Sequence, residues 1–283
     1  MGRSTAPPLR RSTAPVRVLS VRDGSGSDRA DRLAAEEPME IRAGGPGQEP
    51  VSVAVTMRTP GSDFELAVGF LFTEGLIEGR ADVASVAYCE LPPEEQQYNV
   101  VTVRLTAPFD TASLSRNFFA TSSCGVCGKA SLDHVRVRCP RIGPGPVVAR
   151  SAILAMPDAV RSAQRIFEQT GGLHAAALFD PAGRLDEVRE DVGRHNAVDK
   201  LVGHAVLGGN VPLSERVLFV SGRVSFEIVQ KAATAGVPMV CAVSAPSSLA
   251  IDTAAELGVT IVGFVRGDGF NVYTGADRVD VEG

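Results

Sequence analysis

Tryptophan is absent from the 283 residues, and aromatic side chains make up only 5% of them. The interior must be filled by aliphatic and small residues. An apolar share of 44% is enough for a sizeable core in one or two domains. An excess of positive charge is also missing, the formal net charge being −5. Nonspecific nucleic-acid binding needs a basic footprint and is thereby excluded, although a local basic patch for one phosphorylated ligand is not. Long apolar runs are lacking too: Val217-Leu218-Phe219-Val220 is among the longest and is far too short to cross a bilayer. Residues 1–15 carry Arg3, Arg10 and Arg11 without an apolar stretch, which does not suit a signal peptide. They are expected to form a disordered tail, and the chain is expected to be cytoplasmic, with no membrane partner. Histidine is scarce, at four residues, and none begins an H-x-E sequence. Zinc-deaminase chemistry, which needs H-x-E and P-C-x-x-C, is therefore excluded, the more so because Ser123 stands where that proline would be.

What the chain does have is Thr121-Ser122-Ser123-Cys124-Gly125-Val126-Cys127-Gly128-Lys129-Ala130-Ser131. Two thiols lie three residues apart in a run of Gly and Ser with almost nothing to pack. In a reducing compartment such a CxxC is catalytic or metal-binding rather than a structural disulfide. The thiolate is the reactive form, and Lys129 and nearby N–H groups favour it on Cys124 or Cys127. A mobile thiol loop can accept sulfane sulfur as a persulfide and deliver it elsewhere, the second thiol helping release. Structural zinc needs about four ligands. Cys89, Cys139 and Cys241 are scattered, and His134 alone completes no site, so no metal is expected. A thioredoxin-like exchanger stays open as a rival, although its CxxC opens a helix and these flanks read as loop.

Periodicity predicts an α/β fold. Strands are expected over 40–43 and 51–57, with Val51, Val53, Val55 and Met57 on the buried face. A capping box at Ser62 and Glu65 is expected to open a helix over 63–73. Further strands are expected over 83–89 and 100–105, making residues 16–115 a small α+β subdomain. Residues 116–146 are expected to be a mobile CxxC loop and linker, and 147–283 the main domain. That domain is predicted to open with a helix from Pro157 to Thr170, proline being tolerated in a first turn. A hairpin over 173–179 and 185–189 and a helix over 197–207 capped by Asn196 follow. Residues 217–265 then read as β-α-β-α-β, which requires parallel strands. Glu190-Asp191-Val192-Gly193-Arg194-His195-Asn196, at the helix entry, reads on spacing alone as a solvated, capped N-terminus. His174, beside Ala175-Ala176-Ala177, reads as a core histidine.

Ligands of open α/β sheets bind outside the carboxyl ends of the strands. Those ends carry Ser221-Gly222-Arg223, Ser244-Ala245-Pro246-Ser247 and Arg266-Gly267-Asp268-Gly269. The first two lead into helix N-termini, which favour anions. Arg223 and Arg266 add guanidinium forks suited to phosphate, and Asp268 is placed to accept hydrogen bonds from a base or sugar. An extended phosphorylated ligand is expected at this edge.

Taken together, Thr121 to Lys129, Thr170-Gly171-Gly172-Leu173-His174, Glu190 to Lys200, Ser221-Gly222-Arg223 with Glu227 and Lys231, and Gly263 to Tyr273 resemble the formate dehydrogenase accessory sulfurtransferase family, FdhD. Val68 to Gly75 matches its N-terminal region, and the likeness runs in order from about residue 37 to residue 275. The resemblance implies a cytoplasmic sulfurtransferase that takes persulfide sulfur from a cysteine desulfurase. It passes the sulfur to the molybdenum (or tungsten) bis(molybdopterin guanine dinucleotide) cofactor of formate dehydrogenase. That cofactor is a bound client rather than a permanent group. The resemblance also implies Cys124 as the persulfide cysteine, Cys127 as its companion, and Phe264, Val265, Arg266, Gly267, Asp268 and Gly269 as the cofactor contact. It implies a cytidine deaminase-like three-layer main domain and a homodimer. With Ser221 and Arg223 from the sheet edge, His174 and His195 complete the expected cofactor-binding set. The rival function is a cofactor chaperone for formate dehydrogenase that transfers no sulfur.

Overall fold

The computed structural model describes residues 11–89, 92, 96–110, 139 and 141–283. The CxxC, with Cys124 and Cys127, lies outside the described residues, as do Lys129, His134 and most of the expected loop over 116–146.

The chain opens with a hairpin that the sequence reading did not nominate. β1 (Thr13–Arg22) pairs antiparallel with β2 (Ser25–Ala34) from Thr13↔Ala34 to Arg22↔Ser25. β1 thus begins inside the segment expected to be a disordered tail. Its connection is Asp23-Gly24, both at positive φ (50° and 77°), the two-residue turn whose twist suits paired strands. The signal was legible in Asp-Gly, but both strands are largely exposed and β2 is polar, so the short Val16-Arg17-Val18 alternation of β1 has no apolar counterpart in its partner.

β3 (Glu37–Gly44), β4 (Val51–Arg58), α1 (Asp63–Thr73), β5 (Val83–Tyr88) and β6 (Val100–Leu105) follow. The four strands form a sheet in the order β4-β3-β6-β5, with β3 and β6 parallel. The β3–β4 register shifts between Ile41 and Arg42, and this bulge reverses the faces of β4. Val53 is buried as expected, but Val55 and Met57 are 68% and 47% exposed. The expected capping box is also absent. Ser62 lies at positive φ and caps no N–H group, and the Glu65 carboxylate reaches Arg189 instead.

In the main part, β7 (Val148–Ala149) leads into α2 (Arg150–Ala163) and α3 (Arg165–Thr170). The helix expected to start at Pro157 begins seven residues earlier and carries Pro157 in its interior. It breaks at Gln164 rather than running on, and it buries Ile153, Met156 and Val160 at helical spacing. Then come β8 (His174–Phe179), β9 (Leu185–Asp191), α4 (Arg194–Leu207), β10 (Val217–Val220), α5 (Phe226–Thr234), β11 (Met239–Ala242), α6 (Ser248–Leu257), β12 (Thr260–Arg266), β13 (Gly269–Thr274) and β14 (Val279–Asp280). Six strands form one mixed sheet in the order β13-β12-β11-β10-β8-β9. β10, β11 and β12 are parallel neighbours, as the β-α-β-α-β reading requires.

Alternation along the strands splits the sheet into two apolar faces. Phe179, Val217, Phe219 and Cys241 pack with Ile153, Met156 and Val160 of α2. Leu178, Leu218, Val220 and Val240 pack with residues of α4, α5 and α6 in a second cluster. That cluster runs on through Leu66 and Leu71 of α1 into Met39, Ile41, Val101 and Val103 of the four-stranded sheet. Both sheets therefore share one core. No helix among the described residues is long and apolar enough to cross a membrane.

Candidate functional site

Because β10, β11 and β12 are parallel neighbours, the loops that leave them lie side by side, and backbone hydrogen bonds lace them together. Val224 N–H donates to Ala245 O (3.2 Å), Ser247 N–H to Val224 O (3.0 Å) and Phe264 N–H to Ser244 O (3.3 Å). Gly263 fits beneath this lacing. A Cβ there would lie 3.0 Å from the Tyr273 ring, 3.1 Å from Ser244 O and 3.2 Å from Pro246 Cδ. Ser247 Oγ accepts from Ala250 N–H and so caps α6 itself. Ser225, the N-cap residue of α5, makes no such bond and leaves that helix start uncapped.

The antiparallel β8 begins at the same edge. Ser221 N–H donates to Ala175 O (3.0 Å), and Ala175 N–H donates to Ser221 Oγ (2.8 Å). His174 thus sits beside Gly222, and it pairs with Asp191 at the end of β9. Two residues after Asp191, Gly193 caps α4, whose first residues are Arg194 and His195. The expected cap, Asn196, is instead inside the first turn, where its amide donates to Met57 O and Asp191 Oδ1. His195 Nε2 lies 2.7 Å from Glu227 Oε2 and 3.0 Å from Ser225 Oγ.

His174 is half-buried, and burial pulls its pKa below the ordinary imidazole value. Arg194 and His195 lower it further, while Asp191 opposes them. The hydrogen bond from His195 holds Glu227 below the usual carboxylate range.

At the other end of the edge, Phe264 adopts φ 56°, a strained conformation for a bulky residue, at a register shift between β12 and β13. The Arg266 guanidinium lies 5.4 Å from the Phe264 ring centroid. Gly267, at positive φ, turns the chain so that Arg266 pairs with Gly269. Arg150 Nη2 donates to Asp268 O at 2.8 Å and braces the turn. Phe264, Arg266, Asp268, Gly269, Phe270 and Asn271 line an open pocket of about 440 Å³. Arg223, Arg266, Gly267, Asp268 and Gly269 are exposed, whereas Val265 is buried in the core and can offer a ligand only its backbone. The edge therefore gathers His174, His195, Ser221, Arg223 and the 264–269 turn, with Cys124 and Cys127 outside the described residues. Of the remaining thiols, Cys241 is fully buried, which pushes its pKa up, and Cys139 Sγ lies 3.3 Å from Thr234 Oγ1.

The segment around Asp191 is not the solvated helix start expected from its spacing. Asp191 and Lys200 are buried and paired at 2.7 Å. Thr59 N–H donates to Asp191 and Lys200 donates to Thr59 O. Asp199 and Lys231 form a second buried pair at 2.9 Å, joined by Thr73 and Glu74. Burial opposes the charge on Lys231, but Asp199 and Glu74 outweigh it and hold its pKa above the ordinary lysine value. These networks tie α1 and β4 to the helices that carry the edge. A second cavity, of about 500 Å³, lies away from it between Pro60, Ser62, Arg165 and Arg189.

Residues 34–280 match the model of the FdhD/NarQ family. The chain is 54% identical over 277 residues to a Streptomyces coelicolor protein named sulfur carrier protein FdhD, covering 95% of this chain and 96% of that one. A Mycobacterium tuberculosis protein of the same name is 50% identical over 279 residues, covering 95% and 99%. A crystal structure from Desulfotalea psychrophila, provisionally described as a formate dehydrogenase accessory protein, superposes with a TM-score of 0.73 at 22% identity. It covers 95% of this chain and 100% of that one, a likeness of fold.

Proposed function

The chain belongs to the FdhD/NarQ family, and on that premise we propose that it is a cytoplasmic sulfurtransferase serving formate dehydrogenase. Its substrate is the molybdenum bis(molybdopterin guanine dinucleotide) cofactor, bound across the strand ends of the main sheet. The main sheet and its helices are read as the cytidine deaminase-like domain of the family, and the working unit as a homodimer.

Loading is a thiol exchange. The Cys124 thiolate attacks the terminal sulfur of a cysteine desulfurase persulfide. A new S–S bond forms on Cys124, and the desulfurase cysteine leaves as a thiolate. Delivery is the reverse kind of step. The Cys127 thiolate attacks Cys124 Sγ, and the bond to the terminal sulfur breaks. That sulfur leaves with the electron pair, as hydrosulfide, a soft ligand, toward the molybdenum of the substrate. A Cys124–Cys127 disulfide remains, and a cellular dithiol reductant resets it.

One observation carries the substrate reading: Arg223, Phe264 and Arg266 stand on the same laced edge as His174 and His195. Guanidinium forks suit phosphates, and the Phe264 ring beside Arg266 suits a base. Expression in cells lacking their own FdhD tests the function. The native chain is expected to restore formate dehydrogenase activity. Cys124→Ser is expected to retain cofactor on purification yet restore none. Full restoration by Cys124→Ser would contradict sulfur transfer and favour the chaperone.

A further inference from the structure

We propose that Glu227 is a positioning residue of the ligand edge: it keeps a hydrogen on His195 Nε2 and so leaves Nδ1 to meet an N–H or O–H donor of the ligand. The proposal deepens the substrate reading above and rests on it for the identity of that ligand.

The contacts of the His195 ring fall on one nitrogen. Its Nε2 lies 2.7 Å from Glu227 Oε2 and 3.0 Å from Ser225 Oγ. Nδ1 has no hydrogen-bond partner among the described residues. The His195 and Glu227 side chains are 29% and 35% exposed, so the pair is open to a ligand at the edge.

An ionised carboxylate only accepts hydrogen bonds. Glu227 stays ionised at neutral pH, its pKa being held below the usual carboxylate range first by His195. A bare Nε2 would set two acceptors against each other at 2.7 Å, so Nε2 carries the hydrogen. Neutral imidazole has only one N–H group, which leaves Nδ1 an acceptor. When the ring takes up a proton, Nδ1 is the atom that receives it. A carboxylate behind a histidine fixes the tautomer in the same way in metal sites and in hydrolytic triads.

Ser225 shows what the arrangement displaces. It is the N-cap residue of α5, where a serine hydroxyl ordinarily accepts from the helix N–H groups. Here the hydroxyl lies against His195 and caps nothing. Glu227 belongs to the first turn of the same helix. The start of α5 thus gives two side chains to one histidine of α4, and local rules are set aside in this way at functional sites. The other charged and titratable groups around the pair are Arg194 on α4, Lys231 on α5, and His174 and Asp191 of the paired β8 and β9. None of them hydrogen-bonds the His195 ring.

The test is NMR of the full chain, isotope-labelled at the histidine ring nitrogens, with GDP as the binding probe. In the native chain, neutral His195 is expected to carry its hydrogen on Nε2, with Nδ1 the nitrogen that titrates. Glu227→Gln, whose amide can donate as well as accept, is expected to bring in the Nδ1–H form. His195→Leu is expected to weaken GDP about fivefold, the worth of one hydrogen bond. Glu227→Gln is expected to weaken it about threefold and to add nothing once His195 is replaced by leucine. The direction separates positioning from charge, because removing a carboxylate near an anionic ligand would by charge alone tighten it. A native His195 with its hydrogen on Nδ1, or a tautomer unchanged by Glu227→Gln, overturns the proposal. So does a Glu227→Gln chain that binds GDP as tightly as the native one or more tightly, or whose loss is the same with and without His195. If the native chain binds no GDP, the substrate reading falls, and the ring-nitrogen spectra alone decide the positioning role.

Discussion

Arg189 meets Glu65 at two points, Nε to Oε2 at 2.6 Å and Nη2 to Oε1 at 2.9 Å, joining β9 to the first turn of α1. His204 adds a contact to the same carboxylate at 3.0 Å. Burial alone would raise the pKa of Glu65, but Arg189 and His204 outweigh it and the value falls below the usual 4.5. A carboxylate with a depressed folded pKa stabilises the fold above its unfolded value and loses that contribution as pH falls through the folded one. Glu65→Gln should therefore have a lower urea midpoint than the native chain at neutral pH. The two should converge as pH falls below about 4.5. A gap independent of pH would show that the pair is held by shape rather than charge. Single residues were also where the sequence was hardest to read. Glu65 follows Ser62 at the spacing of a capping box, yet the positive φ of Ser62 turns its hydroxyl away from the helix N–H groups, and Arg189, 124 positions on, takes the carboxylate.

Helices α1 and α4 cross almost backbone to backbone, because glycine faces glycine. A Cβ on Gly69 would lie 1.8 Å from Asp199 O, and one on Gly203 would lie 1.8 Å from Glu65 O. Neither contact can relax by a side-chain rotation, so Gly203→Ala must push the helices apart. It should cost about 3 kcal/mol or more in chemical denaturation. Gly79→Ala, at an open position, should stay within about 0.5 kcal/mol of the native chain. Equal effects for both variants would contradict the close crossing. Elements with strong periodicity and clear stops were legible: α1 over Asp63–Thr73 has the expected bounds, and α6 takes its place in the expected β-α-β-α-β run, closed by Gly258 at φ 74°. The misreadings have local causes. A bulge reversed the second half of β4, a proline was accommodated inside α2, and the exposed hairpin β1–β2, polar along β2, carried its turn as the main signal.

Across the whole molecule, two buried ion pairs and one continuous core join the N-terminal sheet to the helices behind the ligand edge. Strand order made the edge legible. Three parallel strands with short connections must release their loops side by side, and the Arg and Gly residues of those loops point to phosphate. Spacing and periodicity did not show the half of the edge formed by β8, β9 and α4, although His174 and His195 were in the expected set, because antiparallel pairing brings His174 there from a strand that reads as plain core. The central claim is that Cys124 carries sulfur. Intact-protein mass spectrometry after incubation with a cysteine desulfurase and cysteine tests it most directly. The account predicts one added, thiol-reducible sulfur on the native chain and on Cys127→Ala, and none on Cys124→Ala. A native chain that gains no sulfur from an active desulfurase, or that gains it equally without Cys124, would contradict it.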